Sequence, residues 1–117
     1  MKDDNFLNYY PKRLCEFELK ENSVTVLYKR EKVNFFEKIF FRKSIDKPYK
    51  IDLDEIGSYV WQYCSGNNSV NYIVDECRKQ FGEKVEPAEE RIELFLTEMH
   101  KNKLIQIFKK IEKEESN

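Results

Sequence analysis

The sequence is poor in the residues on which most enzymatic sites depend. It holds one histidine, three glycines and three cysteines among 117 residues, too few glycines for a phosphate-binding loop. His100 lies among charged residues with no partner indicated, so we expect a solvated side chain and not a general base. No CxxC pair occurs, and we expect Cys15, Cys64 and Cys77 to be buried, reduced thiols. The composition therefore argues against an enzyme, and no cofactor is expected.

Long apolar runs and a strong excess of either charge are also missing. No apolar run is long enough to span a bilayer, and the N-terminal "MKDDNFLNYY" lacks the apolar core of a signal peptide. We therefore expect the protein to be located in the cytoplasm. The formal net charge is −1 with 37% charged residues, which is not the balance of a basic nucleic-acid binder. With 40% apolar residues, we expect one domain over residues 1–110 and a solvated tail over 111–117.

A cluster of acidic residues, Asp52, Asp54 and Glu55, raises the question of a metal site. Carboxylate oxygens suit a hard cation. A strand-to-helix junction with a capping aspartate accounts for the same residues, however, because aspartate is favoured at a helix N-cap. We therefore expect no metal here.

Three segments have the pattern of strands. "CEFEL" (15–19) and "SVTVLYK" (23–29), joined by "KEN", predict a β-hairpin. "PYKIDLD" (48–54) predicts a third strand, which Pro48 can open. Its side chains alternate between two faces, one carrying Tyr49, Ile51 and Leu53 and the other Lys50 and Asp52.

Three helices are predicted after the strands, followed by a short strand-like segment, "NKLIQIF". Asp54 and Ser69 are good N-caps for the first two helices, and Pro87 suits the first position of the third. Gly66 and Gly82 suit the left-handed residue that ends a helix. The inward stripes are Ile56, Val60 and Cys64 in the first helix, Val70, Ile73, Val74, Cys77 and Phe81 in the second, and Ile92, Phe95, Leu96 and Met99 in the third. The order predicts an α+β fold of winged-helix type, with a three-stranded antiparallel sheet packed on a three-helix bundle.

The segment between the second and third strands, "VNFFEKIFFRKS" (33–44), is strongly apolar. Asn34 and Glu37 have the spacing of a capping box, which predicts a short amphipathic helix. Residues 29–47 hold seven basic and three acidic side chains. The apolar side chains of one helical face are Phe35, Phe36, Ile39 and Phe40. This helix either covers the protein's own core, docks a partner enzyme or a second copy, or contacts an anionic membrane, the least favoured of the three.

A winged-helix DNA-binding regulator is the first alternative function. A helix that enters the major groove needs lysines and arginines against phosphate. The third helix, residues 87–102, instead holds four glutamates against one arginine and one lysine. Its charge argues against nucleic acid as a partner. A structural module whose only partner is another protein is the second alternative.

The ordered pattern of the helices resembles the PqqD family. The resemblance rests on "IDLDEIGSYVWQYCSGNNSVNYIVDECRKQFG" and "RIELFLTEMHKNKLIQI", which cover about residues 48–108. It implies a RiPP recognition element, a non-catalytic peptide chaperone with a three-stranded sheet on three helices. Such a domain binds the leader region of a ribosomally made precursor peptide and presents it to a modifying enzyme, often a radical SAM enzyme.

The resemblance also implies where the peptide binds. The leader adds as a fourth strand to the third strand, beside the third helix. On this chain the strand residues are Tyr49, Lys50, Ile51, Asp52 and Leu53. Leu94 lies off the core stripe of the third helix, with Arg91 and Glu98 on the same face, and we expect these three to contact the peptide. A single exposed leucine is ordinary on a helix, so Leu94 alone does not indicate a binding site. The sequence also leaves open that the protein forms a homodimer.

Overall fold

The computed structural model describes residues 6–28 and 49–109 of the chain. These residues form a mixed α+β structure with five strands and three α-helices. The elements are β1 (Tyr10–Arg13), β2 (Glu16–Lys20), β3 (Ser23–Tyr28), β4 (Tyr49–Asp52), α1 (Glu55–Tyr63), α2 (Val70–Phe81), α3 (Ala88–Lys101) and β5 (Ile105–Phe108), with 3-10 turns at Phe6–Asn8 and Gly82–Val85.

The predicted three-stranded antiparallel sheet is confirmed, in the order β2-β3-β4. Val26 of β3 lies opposite Phe17 of β2 on one side and Ile51 of β4 on the other. The hairpin turn is one residue shorter than "KEN", because Lys20 still pairs with Ser23. β3 is the buried centre of this sheet, which leaves β2 and β4 as its two edges.

A second, two-stranded sheet was not predicted in full. The strand-like segment near residue 105 is confirmed as β5, which pairs antiparallel with β1. Nothing in the local pattern of "YYPKR" indicates β1, since Pro11 lies within it and its partner Ile107 lies at the other end of the chain. The loop after α1 joins this sheet at its other side through a bridge between Lys12 and Ser65.

The N-caps of the helices follow the sequence, with one shift, whereas Gly66, with its positive φ of 93°, lies two residues beyond Cys64, the C-cap of α1. Asp54 Oδ1 accepts from the Gly57 N–H at 2.7 Å, and Ser69 Oγ accepts from the Tyr72 N–H. Pro87 is the extended residue before α3 and not its first helical residue, so that prediction is wrong by one position.

The core gathers side chains from both sheets and all three helices. The predicted stripes of all three helices are buried or half-buried, and the inward face of α1 is wider than the predicted one. Ile56 is half-buried, while Trp61 is fully buried and packs edge-to-face on Phe17 at 6.0 Å. Gly57 and Ser58 share that face, and residues so small or polar give no apolar signal in the sequence.

Arg13 ties the two-stranded sheet to the end of α1. Its Nη1 donates to the carbonyls of Trp61 at 3.0 Å and Gln62 at 3.1 Å. The guanidinium also lies over the Phe17 ring, 5.1 Å from its centroid. A cation at a helix C-terminus satisfies carbonyls that have no partner within the helix, so this contact fixes the exit of α1.

Ser58 ties α1 to the sheet at the point where β4 ends. Its buried hydroxyl accepts from the Val24 N–H at 2.9 Å and donates to the Leu53 carbonyl at 3.2 Å. The hydroxyl therefore bridges two strands at a position where a direct ladder bond is missing.

We expect Ser58→Ala to lower the free energy of unfolding by about 1–3 kcal/mol, because a buried N–H and a carbonyl both lose their partner. Urea denaturation followed by circular dichroism measures it. Thr25→Ala is the control, since the Thr25 hydroxyl joins the same two strands through Asp52 at 2.7 Å on the exposed face. Equal losses for the two variants would contradict the bridging role.

Some predictions fall outside residues 6–28 and 49–109. The amphipathic helix, with Phe35, Phe36, Ile39 and Phe40, lies outside the described residues. The limits of the domain, 1–110 with a tail at 111–117, likewise stay a prediction. In the part of the chain that is described, no helix is both long and apolar enough to cross a membrane.

Candidate functional site

A groove of 290 Å³ lies between the sheet and α3. One wall comes from β3 and β4 and the other from the second half of α3 and the residues that follow it. The lining residues are Tyr28, Ile51, Phe95, Glu98, Met99, Asn102 and Leu104. Most of these side chains are aliphatic or aromatic, so the groove is an apolar one with a polar rim.

The close approach of α3 to the N-terminus of α1 depends on Gly57. A Cβ at this position would lie 3.0 Å from the Phe95 ring and 2.9 Å from Asp54 Oδ1. Since both distances are shorter than ordinary carbon contacts, any other residue would displace the ring or the capping carboxylate. The absence of a side chain at Gly57 therefore determines the position of the Phe95 ring in the groove.

The far end of the groove is built by the exit of α3. The Leu104 N–H donates to the Met99 carbonyl at 2.9 Å, and Asn102 Nδ2 donates to the Glu98 carbonyl at 2.8 Å. Lys103 takes a positive φ of 64°, which turns the chain back toward β5. These bonds satisfy carbonyls at the end of the helix and place Leu104 against the groove.

β4 is an edge strand of the described residues, with a strand neighbour only on the β3 side. The Leu53 N–H donates to the Val24 carbonyl at 3.0 Å. Because backbone groups alternate in an antiparallel pair, Ile51 also directs its N–H and C=O toward β3. Lys50 and Asp52 direct theirs away from it. A row of backbone donors and acceptors thus lies along the outer edge, beside the groove.

The side chains of β4 divide as predicted. Ile51 is half-buried and lines the groove, whereas Lys50 and Asp52 are exposed. Tyr49 is 53% exposed and stacks on Tyr28 with ring centroids 6.3 Å apart. Leu53 follows the strand and is half-buried.

The three predicted residues of α3 are not equivalent. Glu98 lines the groove together with Ile51. Leu94 is 62% exposed, one turn before Glu98 and outside the groove lining. Arg91 Nη1 donates to the Lys84 carbonyl at 2.8 Å, so its charge lies at the turn before α3.

Sequence reasoning missed five of the lining residues as members of a site. Helical spacing predicts Phe95 and Met99 only as members of the core stripe of α3, but this stripe also forms a wall of the groove. Tyr28, Asn102 and Leu104 gave no signal, because their proximity arises only from the packing of α3 on the sheet.

The other candidate groups have structural partners. Of the acidic cluster, Asp54 caps α1, Asp52 accepts from Thr25, and Glu55 lies 3.6 Å from Lys84 Nζ. Among residues 6–28 and 49–109, no three metal-ligating side chains come together.

The three cysteines lie in the described part of the chain and none forms a disulfide; Cys64 and Cys77 are buried as predicted, whereas Cys15 is half-buried. Burial raises the pKa of Cys64 and of Cys77 to about 12. Both therefore stay protonated at neutral pH, whereas the thiolate is the reactive form. His100 is exposed at the end of α3.

Comparison with known proteins gave one result. The sequence model of the family described as "Coenzyme PQQ synthesis protein D (PqqD)" matches residues 45–105, more than half of the chain. A search of curated proteins and a search of solved structures found no match. The matched range holds β4, the three helices and every lining residue of the groove except Tyr28. The chain belongs to the PqqD family.

Proposed function

We propose that this protein binds the leader region of a ribosomally made precursor peptide and presents it to a modifying enzyme of the radical SAM class. The peptide adds as a strand to the outer edge of β4 and lays a side chain into the groove against α3. The observation that carries the proposal is the coincidence, among the described residues, of a strand edge without a strand neighbour and an apolar groove in the same place. Proteins of the PqqD family are accessory proteins that bind a peptide and partner enzymes, which supports it.

In strand addition, the backbone and the side chains of the peptide have different roles. Main-chain hydrogen bonds give affinity to an extended peptide, and pockets for alternate side chains give specificity. On β4 the outward groups of Lys50 and Asp52 supply the bonds. Ile51, between them, supplies the apolar wall. A peptide strand paired here therefore places every second side chain on the groove face.

The contacts with α3 extend beyond the groove lining in this proposal. Leu94 and Glu98 are one helical turn apart and share a face, so a peptide that crosses Glu98 also reaches Leu94. Arg91 continues the same face, with its guanidinium held by the Lys84 carbonyl. For Phe35, Phe36, Ile39 and Phe40, between β3 and β4 in sequence, the three predictions stay open: they cover the protein's own core, contact the modifying enzyme or a second copy, or contact an anionic membrane.

DNA binding is not supported by the charges of α3. Glu89, Glu90, Glu93 and Glu98 are all exposed, and exposed carboxylates repel a phosphate backbone. The winged-helix type of the fold stays a prediction. A gel shift with duplex DNA tests this alternative, and we expect no retarded complex at any salt concentration.

The contact at Leu94 gives a direct test of the proposed function. We expect linear peptides to be enriched from a displayed random library on the wild-type protein. Leu94→Ala should weaken their binding about tenfold, the effect of losing roughly 1.4 kcal/mol of apolar contact. The stability should change by less than about 0.5 kcal/mol, since the side chain is on the surface.

Leu19→Ala is the matched control, because Leu19 is 52% exposed on β2, the other edge of the sheet. Isothermal titration calorimetry with the enriched peptides compares the two variants. Equal affinity for both would remove Leu94 from the site. If no peptide is enriched, the proposed function itself is contradicted.

A further inference from the structure

We infer that the groove selects peptides in which a single apolar anchor residue has a lysine or arginine close to it, with Glu98 as the specificity-determining residue. This inference rests on the proposed function and names the class of peptide that the site accepts. It follows from the size of the groove, from the chemistry of its walls and from the position of the charges around it.

The size of the groove limits the anchor. Its volume of 290 Å³ is just below the range of about 300–1,000 Å³ that is usual for ligand cavities. That space suits a large apolar side chain and not a folded element. Met99 forms part of the wall, and an unbranched thioether side chain adapts to different anchor shapes. We therefore expect leucine, isoleucine, methionine or phenylalanine as the anchor.

Glu98 is the only formally charged side chain among the described residues that line the groove. Among the described residues it pairs with Lys101, whose Nζ lies 4.0 Å from Oε2, and both side chains are more than half exposed. A pair of this kind is worth little, so a peptide cation can replace Lys101 at small cost. The carboxylate thus stands beside an apolar surface where a matching charge is less screened than in open water.

Three other charged side chains near the described groove are directed away from it. Arg91 is bonded to the Lys84 carbonyl before α3. Lys50 lies on the opposite face of β4 from Ile51, because successive side chains alternate. Asp52, on that opposite face, accepts from Thr25. The side chains that line the described groove therefore offer an anionic partner, Glu98, to a cation on the peptide and offer no cationic partner to an acidic residue.

The experiment uses the peptide most enriched on the wild-type protein and a partner peptide in which the basic residue beside the anchor is replaced by glutamate. We expect the wild-type protein to bind the basic peptide about tenfold more tightly, from one attraction gained and one repulsion avoided, each worth about twofold to fivefold. Glu98→Lys should reverse this order, and Glu98→Gln should reduce the difference to about twofold. Raising the salt concentration should reduce it as well.

Glu93→Lys is the matched control, because it makes the same charge change on an exposed residue of α3 outside the groove lining. It should keep the wild-type order of the two peptides. The inference is overturned if Glu98→Lys and Glu93→Lys behave alike, or if the enriched peptides carry no basic residue near the anchor.

The two levels of the proposal fail in different ways. If both peptides bind equally and still slow the hydrogen exchange of the β4 amides, strand addition stands and the charge selection is wrong. If neither peptide affects exchange in β4, the proposed function fails and the inference with it. Hydrogen-exchange mass spectrometry on the full chain, with and without each peptide, separates these outcomes.

Discussion

A Lys50→Pro variant is expected to lose at least about tenfold in affinity for the enriched peptides. The Lys50 N–H points to the outer edge of β4, so proline removes a donor that the added strand would use, a loss of about 0.5–1.5 kcal/mol. The pyrrolidine ring also occupies the edge and obstructs the approach of the peptide backbone. Pairing of β4 with β3 should survive, because proline is tolerated where the N–H side of an edge strand is outward.

Two controls separate the backbone from the side chain. Lys50→Ala keeps the N–H and should bind within about threefold of the wild type, since one exposed charge contributes little. Leu19→Pro makes the same change on β2, the opposite edge of the sheet, and should leave binding unchanged. Calorimetric titration gives the affinities, and thermal unfolding checks that each variant is folded. Wild-type affinity of a folded Lys50→Pro protein would mean that the peptide does not pair with β4.

The largest loss of stability is expected for Trp61→Ala, at about 3–5 kcal/mol of the free energy of unfolding. Trp61 has no exposed surface and packs on Phe17 of β2. Removing it leaves a cavity where the sheet meets α1. Native domains have only about 5–15 kcal/mol of stability, so a substantial fraction of unfolded protein is expected in dilute urea. Urea denaturation followed by circular dichroism measures the change.

Trp61→Phe is the informative control for this prediction. The indole N–H of Trp61 is buried and has no partner among the described residues, and a buried unpaired donor costs about 1–3 kcal/mol. Phenylalanine removes that donor while it keeps most of the apolar surface. We therefore expect the phenylalanine variant to lose less than half as much stability as the alanine variant. Similar losses for both would mean that the indole N–H has a partner, such as a water molecule, in solution.

The elements that the sequence predicts well are those with regular aliphatic spacing. α2 and α3 carry apolar side chains at helical intervals, and their buried faces are the predicted ones. The capping residues Asp54 and Ser69 act locally, within three residues of the N–H that they bind. Local chemistry of this kind can be read from the sequence without knowing the fold.

The features that were missed depend on contacts between distant parts of the chain. β1 pairs with β5, which lies more than 90 residues later in the sequence. Pro11 also argues against a strand at β1, because proline is uncommon within strands. The predicted stripe of α1 omits the buried Trp61, because Gly57 and Ser58, which are buried with it, add no hydrophobicity to that face. Gly57 faces inward because the Phe95 ring lies against it. Ser58 faces inward because its hydroxyl bonds to the junction of β3 and β4.

The candidate site was predicted in part for the same reason. Strand alternation places Ile51 on the groove face, and helical spacing places Glu98 on the exposed side of α3 next to it. The groove itself forms only when α3 is held at a particular position relative to the sheet. Gly57 and the turn at Lys103 set that position. Leu104 and Tyr28 enter the site only through that packing, so no local pattern contains them.

The central claim is that a peptide adds to the outer edge of β4 beside α3. It is tested most directly by the backbone amide chemical shifts of isotope-labelled protein during titration with an enriched peptide. We expect the largest changes at Lys50 and Asp52, with further changes along α3 from Leu94 to Asn102 and little change in β2. Unmoved β4 amides at saturating peptide would contradict the claim.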